Sequence, residues 1–306
     1  MGREFVIGTR GSRLARVQTD IILKRLQQAQ PATAFRVVEV KTEGDRRAQE
    51  SLLPMAGRGV FVQELERALR LQRIDLAVHS LKDMPSNLPP DMCLAAVAER
   101  EDPRDALVSH SGLALAKLPA GSRLGTSSPR RVAQLRALCP DLRFLPLRGN
   151  VDTRLRKVSA GEVEGAILAL AGLRRLGLEG QVTEVIPADV CLPAVGQGAL
   201  AVEARSGDAE AIALAQLCDH PPTHQAAVAE RAFLHGLGGG CQTPIAAWGR
   251  LESGRLLLDG LVAAPDGSRL VRERVAGDPE AAEALGQELA HRVLALGAGE
   301  LLKTYG

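Results

Sequence analysis

No apolar run in the 306 residues approaches the ~20 that a membrane-crossing helix needs. The opening Met1-Gly-Arg-Glu-Phe-Val-Ile-Gly-Thr-Arg10 holds no signal-peptide core before its next charge. Cysteine is sparse and unpatterned. Cys93, Cys139, Cys191, Cys218 and Cys241 are odd in number, widely spaced and without a C-x-x-C pair, which argues against a disulfide framework and a zinc site. Neither a Walker A pattern nor G-x-G-x-x-G is present, so no nucleotide is indicated. The net charge is only +2, which argues against nucleic-acid binding through bulk positive charge. These absences predict a reduced, cytoplasmic, soluble chain with neither nucleic-acid nor membrane partners.

Lysine is scarce too: only six of the 38 cations are Lys, and the rest are Arg. Arg suits planar, two-point recognition of carboxylate or phosphate. Base-composition bias produces the same excess, so the placement of the Arg residues must decide. With 45% hydrophobic and 24% charged residues, the chain can bury a sizeable core, and its length leaves room for two or three domains.

Hydrophobic spacing organises the chain. Phe5–Gly8 and Phe35–Val40 read as strands around a helix from Ser12 to Gln28. Thr42 to Gly59 is polar and aperiodic, a long loop, followed by a helix over Val60–Leu71 and a strand over Ile74–His79. The alternation restarts after Glu101, with strands at Ala106–Val108, Arg143–Leu147 and Ala166–Leu170 and helices at Pro129–Leu138 and Val151–Ala160. Such alternation predicts parallel sheets covered by helices, in two α/β blocks with a cleft between them. Thr223–Leu237 reads as a helix. Ile245–Arg250, Arg255–Val262 and Arg269–Val275 then form three turn-linked strands, an antiparallel sheet, before a closing helix that begins at Asp278-Pro-Glu280.

Three segments combine Gly, Ser or Thr with Arg at element ends: Thr9-Arg-Gly-Ser12, Gly125-Thr-Ser-Ser-Pro-Arg-Arg131 and Leu147-Arg-Gly-Asn-Val-Asp-Thr-Arg154. Helix N-termini beside guanidinium groups suit an anion, and three in one chain point to a polyanion rather than to ordinary capping. Asp83, in His79-Ser-Leu-Lys-Asp-Met-Pro85, follows a strand, where open α/β sheets bind ligands. It could steady a developing cation, or it is a surface partner of Lys82 worth little. Gly238-Gly-Gly-Cys241 strips bulk from around one thiol, so the cysteine could serve as a nucleophile or attachment point. No adjacent His supports a protease-type dyad.

At these residues the chain resembles the porphobilinogen deaminase (hydroxymethylbilane synthase) family. The resemblance runs in order through Gly8-Thr-Arg-Gly-Ser12, Gly59-Val-Phe-Val-Gln-Glu-Leu-Glu66, His79 to Pro85, Arg100-Glu-Asp-Pro-Arg-Asp105, Gly125-Thr-Ser-Ser128 with Arg130 and Arg131, Leu147 to Val151, Leu192-Pro-Ala-Val-Gly-Gln-Gly-Ala199 and Gly238 to Gln242. It implies two α/β domains like those of periplasmic binding proteins (1–98 with 199–217, and 99–198) and a smaller C-terminal α+β domain, 218–306. It implies a monomeric, deaminating transferase of tetrapyrrole biosynthesis. Such an enzyme condenses four porphobilinogens head to tail on a dipyrromethane held by a thioether, here Cys241, and hydrolysis releases hydroxymethylbilane. The resemblance makes Asp83 catalytic. It places Ser80, Lys82, Asp83, Thr126, Ser128, Arg130 and Arg131 around the cofactor, and Arg10, Ser12, Gln18, Arg148, Arg154 and Arg175 around substrate carboxylates, with Arg58 and Phe61 on the loop and no metal. The chain departs from the family at Pro54, where a Lys is common, and at Ala56-Gly-Arg-Gly59, matched to a Gly-Gly-Lys-Gly run. The rival class is a passive cleft-type binder of a carboxylated small molecule, which would need neither Cys241 nor Asp83.

Overall fold

The computed structural model describes residues 3–40, 60–238 and 243–303, with the side chains of 60 and 61 left aside. Two compact units emerge, one of residues 1–100 with 199–224 and one of 101–198 with 225–306.

The first unit is built on a five-stranded sheet in the order Ala34–Glu39, Glu4–Thr9, Leu76–Ser80, Leu200–Arg205, Met92–Val97. The opening β-α-β is as its spacing predicts: Arg13–Ala29 is a helix N-capped by Ser12, whose hydroxyl accepts from the Ala15 N–H. The expectation of a purely parallel sheet does not hold. Leu200–Arg205 runs antiparallel to both of its neighbours, because the chain re-enters the unit from the opposite end after the excursion through 101–198. Side chains alternate across the sheet. Ile7, Leu76, Val78, Leu200 and Val202 pack with Ile22 and Leu26 on one face, while Ala77 and Met92 pack with Leu65 and Leu69 of the helix Val60–Arg70 on the other.

In the second unit a five-stranded sheet has the order Arg143–Leu145, Arg123–Gly125, Gly165–Ala169, Asp105–Ser109, Glu184–Ile186. It too is mixed, since Asp105–Ser109 is antiparallel to both neighbours. Ala106, Val108, Ala166 and Leu168 face Leu155 and Val158 of the helix Val151–Ser159, while Leu107, Leu124 and Ile167 face Leu135 of the helix Pro129–Leu138. The same unit holds the expected antiparallel sheet of Ile245–Glu252, Arg255–Ala263 and Leu270–Gly277. Ser253 and Gly254, at φ 50° and 75°, make the tight turn that matches strand twist in a two-residue hairpin. One face of this sheet closes over Phe233, Leu285, Leu289 and Val293; Ala246, Leu261 and Ala263 on the other meet Ala133 and Leu192. Asp278 caps a single 3-10 turn, Pro279–Ala281, before the closing helix Ala282–Ala295.

Candidate active site

In the first unit, Arg10, Ser12, Gln18, Ser80 and Asp83 converge on one cavity open to solvent, joined by Leu14, Ala15, Val62, Val78 and His79. The sequence separates these groups by up to 73 positions; the parallel pairing of Glu4–Thr9 with Leu76–Ser80 brings their C-terminal ends together. There the helix starting at Arg13 begins and the 3-10 turn Leu81–Asp83 follows the strand, which is where an open α/β sheet presents loops to a ligand. Buried Gln18 donates from Nε2 to the Ser80 hydroxyl across 2.9 Å, fixing both polar side chains. Asp83 is exposed, so its carboxylate is available to a ligand. Lys82 lies in the same turn but does not line the cavity.

The second unit holds the other expected site residues. Ser128 N-caps the helix Pro129–Leu138 and Thr126 Oγ1 accepts from the Ser128 N–H at 3.2 Å. Arg130 and Arg131 are buried, and their guanidinium groups converge on Asp105. Arg130 Nη2 donates to it at 2.8 Å and Arg131 Nη2 at 2.7 Å, while Gln197 Nε2 donates at 2.8 Å. Arg130 also donates to the Leu192 carbonyl and Arg131 to that of Ile167. Burial alone would lift the Asp105 carboxyl, but Arg130 and Arg131 hold it well below the usual carboxylate range. Two guanidinium groups against one carboxylate leave this buried cluster positive, and Arg130 Nε is buried with no hydrogen-bond partner. Gly125 leaves room for the Leu147 side chain, since a Cβ there would lie 2.6 Å from Leu147 Cδ2. Arg148 is exposed just beyond it, Arg154 Nε donates to the Gly149 carbonyl, and half-buried Arg175 donates to the Gly198 carbonyl at 2.6 Å.

Cys241 and Arg58 lie outside the described residues, as does the Phe61 side chain. The other four cysteines are unpaired thiols whose ionisation burial disfavours, with Cys191 pushed up to about 12 and Cys218 to about 11. Among the described residues no group of His, Cys, Asp or Glu is placed to hold a metal, and no helix is long and apolar enough to cross a membrane. Sequence reasoning missed the roles of Asp105 and Gln197. Both stand inside motifs that carry the resemblance, and a carboxylate opening an otherwise apolar strand was the available signal for the first.

Two family models cover this chain. The model for the porphobilinogen deaminase dipyromethane cofactor binding domain matches residues 5–213, and that for the porphobilinogen deaminase C-terminal domain matches 224–295. The chain belongs to the porphobilinogen deaminase family. A porphobilinogen deaminase of Desulforudis audaxviator is 50% identical over 302 residues, covering 99% of this chain and 98% of that one. One of Roseiflexus castenholzii is 50% identical over 302 residues, covering 99% of each. Among solved structures, a TRAP periplasmic solute binding protein from Pseudomonas putida F1 is similar at 11% identity and a TM-score of 0.41, covering 76% of this chain and 81% of that chain.

Proposed function

We infer that this chain is a hydroxymethylbilane synthase (porphobilinogen deaminase), a transferase that condenses four porphobilinogens head to tail on a covalently held dipyrromethane and releases hydroxymethylbilane by hydrolysis. Full-length membership of the deaminase family carries the reading. When bound, dipyrromethane supplies the pyrrole carbon onto which the first substrate is joined. Its side chains are carboxylates, and the positive Arg130–Asp105–Arg131 cluster, with its orphaned Arg130 Nε, fits such an anion.

On this reading Cys241 holds the cofactor through a thioether, since the other four thiols are disfavoured as nucleophiles by burial. Ser80, Lys82, Asp83, Thr126, Ser128, Arg130 and Arg131 surround it. Arg10, Ser12, Gln18, Arg148, Arg154 and Arg175 take the carboxylates of the incoming porphobilinogen, with Arg58 in the segment 42–59; Phe61, expected on that loop, is instead the second residue of the helix Val60–Arg70. Loss of ammonia leaves an electron-poor methylene pyrrole, and the exposed carboxylate of Asp83 stabilises that cation through charge. The protein works as a cytoplasmic monomer of three domains, 1–98 with 199–217, 99–198 and 218–306. Intact and peptide mass spectrometry tests the reading: a two-pyrrole adduct is expected on the Cys241 peptide and on no other cysteine peptide. An active enzyme without it overturns the assignment.

A further inference from the structure

The first unit buries three ionisable side chains, His79, Glu203 and Glu66, to which the transferase reading gives no role. His79 stands on Leu76–Ser80 and Glu203 on the antiparallel Leu200–Arg205. Ala201 lies opposite His79 and Glu203 opposite Ala77, so both side chains leave the same face of the sheet. His79 Nε2 is 2.9 Å from Glu203 Oε2, with the two side chains 3% and 0% exposed. A carboxylate only accepts, so against an ionised Glu203 the Nε2 carries a ring proton, and a neutral His79 then holds its lone pair on Nδ1. No described residue hydrogen-bonds to Nδ1, and His79 lines the cavity shared by Ser80 and Asp83. A buried acid that orients an imidazole beside a substrate cavity is the arrangement of a general base and its orienting group.

We propose that His79 is the general base of this cavity, held in its basic tautomer by Glu203, and that it takes the proton shed by the condensing pyrrole carbon. The proposal rests on the transferase reading and divides the labour, with Asp83 steadying the cation and His79 carrying the proton. The step balances without any further reactant. The C–N bond of the protonated aminomethyl group breaks, ammonia leaves with the bonding pair, and a methylene cation remains. The acceptor pyrrole carbon supplies the electron pair of the new C–C bond. That carbon's C–H bond then gives its proton to Nδ1, and the pair left behind restores the ring. The imidazolium passes the proton to ammonia, which departs as ammonium.

Among the described residues, the charged groups around His79 are Glu203 on the neighbouring strand, Glu66 on the covering helix with Arg70 3.6 Å behind it, and Asp83 and Arg10 on the cavity wall. Burial first, and the Glu203 carboxylate second, push the Glu66 carboxyl above its usual range.

The test uses the cofactor-bearing enzyme with His79→Gln, which keeps a hydrogen-bonding group toward Glu203 but cannot take a proton, and with Glu203→Gln, which keeps the bond and removes the charge. Intact mass spectra count the rings added in a single turnover across a pH series. His79→Gln is expected to keep its adduct, lose ~10²-fold or more in the rate of ring addition and lose the fall in rate toward acid pH. In Glu203→Gln that fall should move to lower pH, because an imidazole without its carboxylate is less basic. NMR of histidine-labelled protein gives a readout apart from activity: the imidazole signal missing in His79→Gln should titrate in the wild type, with a lower midpoint in Glu203→Gln. A folded, adduct-bearing His79→Gln with wild-type rate and pH profile overturns the proposal, as does a His79 signal that does not titrate. A wild type that adds no rings at all overturns the transferase reading beneath it, and this proposal with it.

Discussion

Replacing Asp105 by Asn tests whether the buried cluster of the second unit stands on charge. Arg130, Arg131 and Gln197 all direct donors at the two oxygens of this fully buried carboxylate. An Asn has one acceptor oxygen, so part of this convergence would face an amide NH₂, donor against donor, while two guanidinium groups stay buried without a counter-charge. Breaking a buried ion pair by removing one partner costs ~3–5 kcal/mol. For a unit of this size each kcal/mol moves Tm by ~2–4 °C, so the transition should fall by roughly 6–20 °C. Calorimetry of both proteins at neutral pH reads the shift. The pH dependence adds a second check. Because Arg130 and Arg131 hold the Asp105 carboxyl below its usual range, its stabilisation is fully present above an unfolded-state value of about 4 and is lost as pH falls through the folded value. The gap between wild type and Asp105→Asn should therefore persist at neutral pH and narrow progressively as the pH falls below about 4. A Tm within about a degree of wild type would refute the reasoning, because it would mean that solvent or rearrangement replaces the carboxylate at no cost.

Other outcomes follow from the same geometry. Asp83→Asn, which keeps size and one acceptor but loses the charge, should lose ~10²–10³ in turnover with the fold and adduct intact, and Asp83→Glu should retain more; wild-type turnover in Asp83→Asn would rule out a catalytic role. Arg130→Leu and Arg131→Leu should lower adduct content, whereas exposed Arg148→Leu should spare it and slow elongation; equal adduct and normal turnover in all three would dismiss the site assignment. The Arg3 hydrogen bond, against burial, lowers the Asp208 carboxyl to about 2. A depressed carboxyl stabilises above its unfolded value and ceases to as pH falls toward 2, so Arg3→Ala should unfold at lower urea at neutral pH, with the difference fading between about pH 4 and 2. Identical urea midpoints at neutral pH would count against that coupling.

Most elements were legible in the sequence because their signals are local. Ser12 and Ser128 announce helix starts, and both cap them through their hydroxyls. Continuous apolar runs over Ala106–Val108 and Ala166–Leu168 report strands that place successive side chains on opposite cores. The short turn Glu252-Ser-Gly254 forces the hairpin that it joins. Strand direction was not legible, since Leu200–Arg205 and Asp105–Ser109 carry the same apolar content whichever way they run.

The site divides along the same line. The residue types at Thr9-Arg-Gly-Ser12, around Asp83 and around Arg130 already marked a protein that handles anions, because backbone donors, hydroxyls and guanidinium groups keep that chemistry wherever they are placed. Which of them share a cavity depended on strand pairing: Glu4–Thr9 beside Leu76–Ser80 unites Arg10, Ser12, Gln18, Ser80 and Asp83. Whether an acid is solvated or buried against a partner was likewise decided only in three dimensions. Asp83 and Asp105 are the same residue type inside motifs of similar look, yet one is exposed on a cavity wall and the other lies wholly buried between two guanidinium groups. The pairing of His79 with Glu203, 124 positions apart, exists because a strand returning from the other half of the chain enters the sheet beside the first, and no local pattern in either segment encodes that meeting.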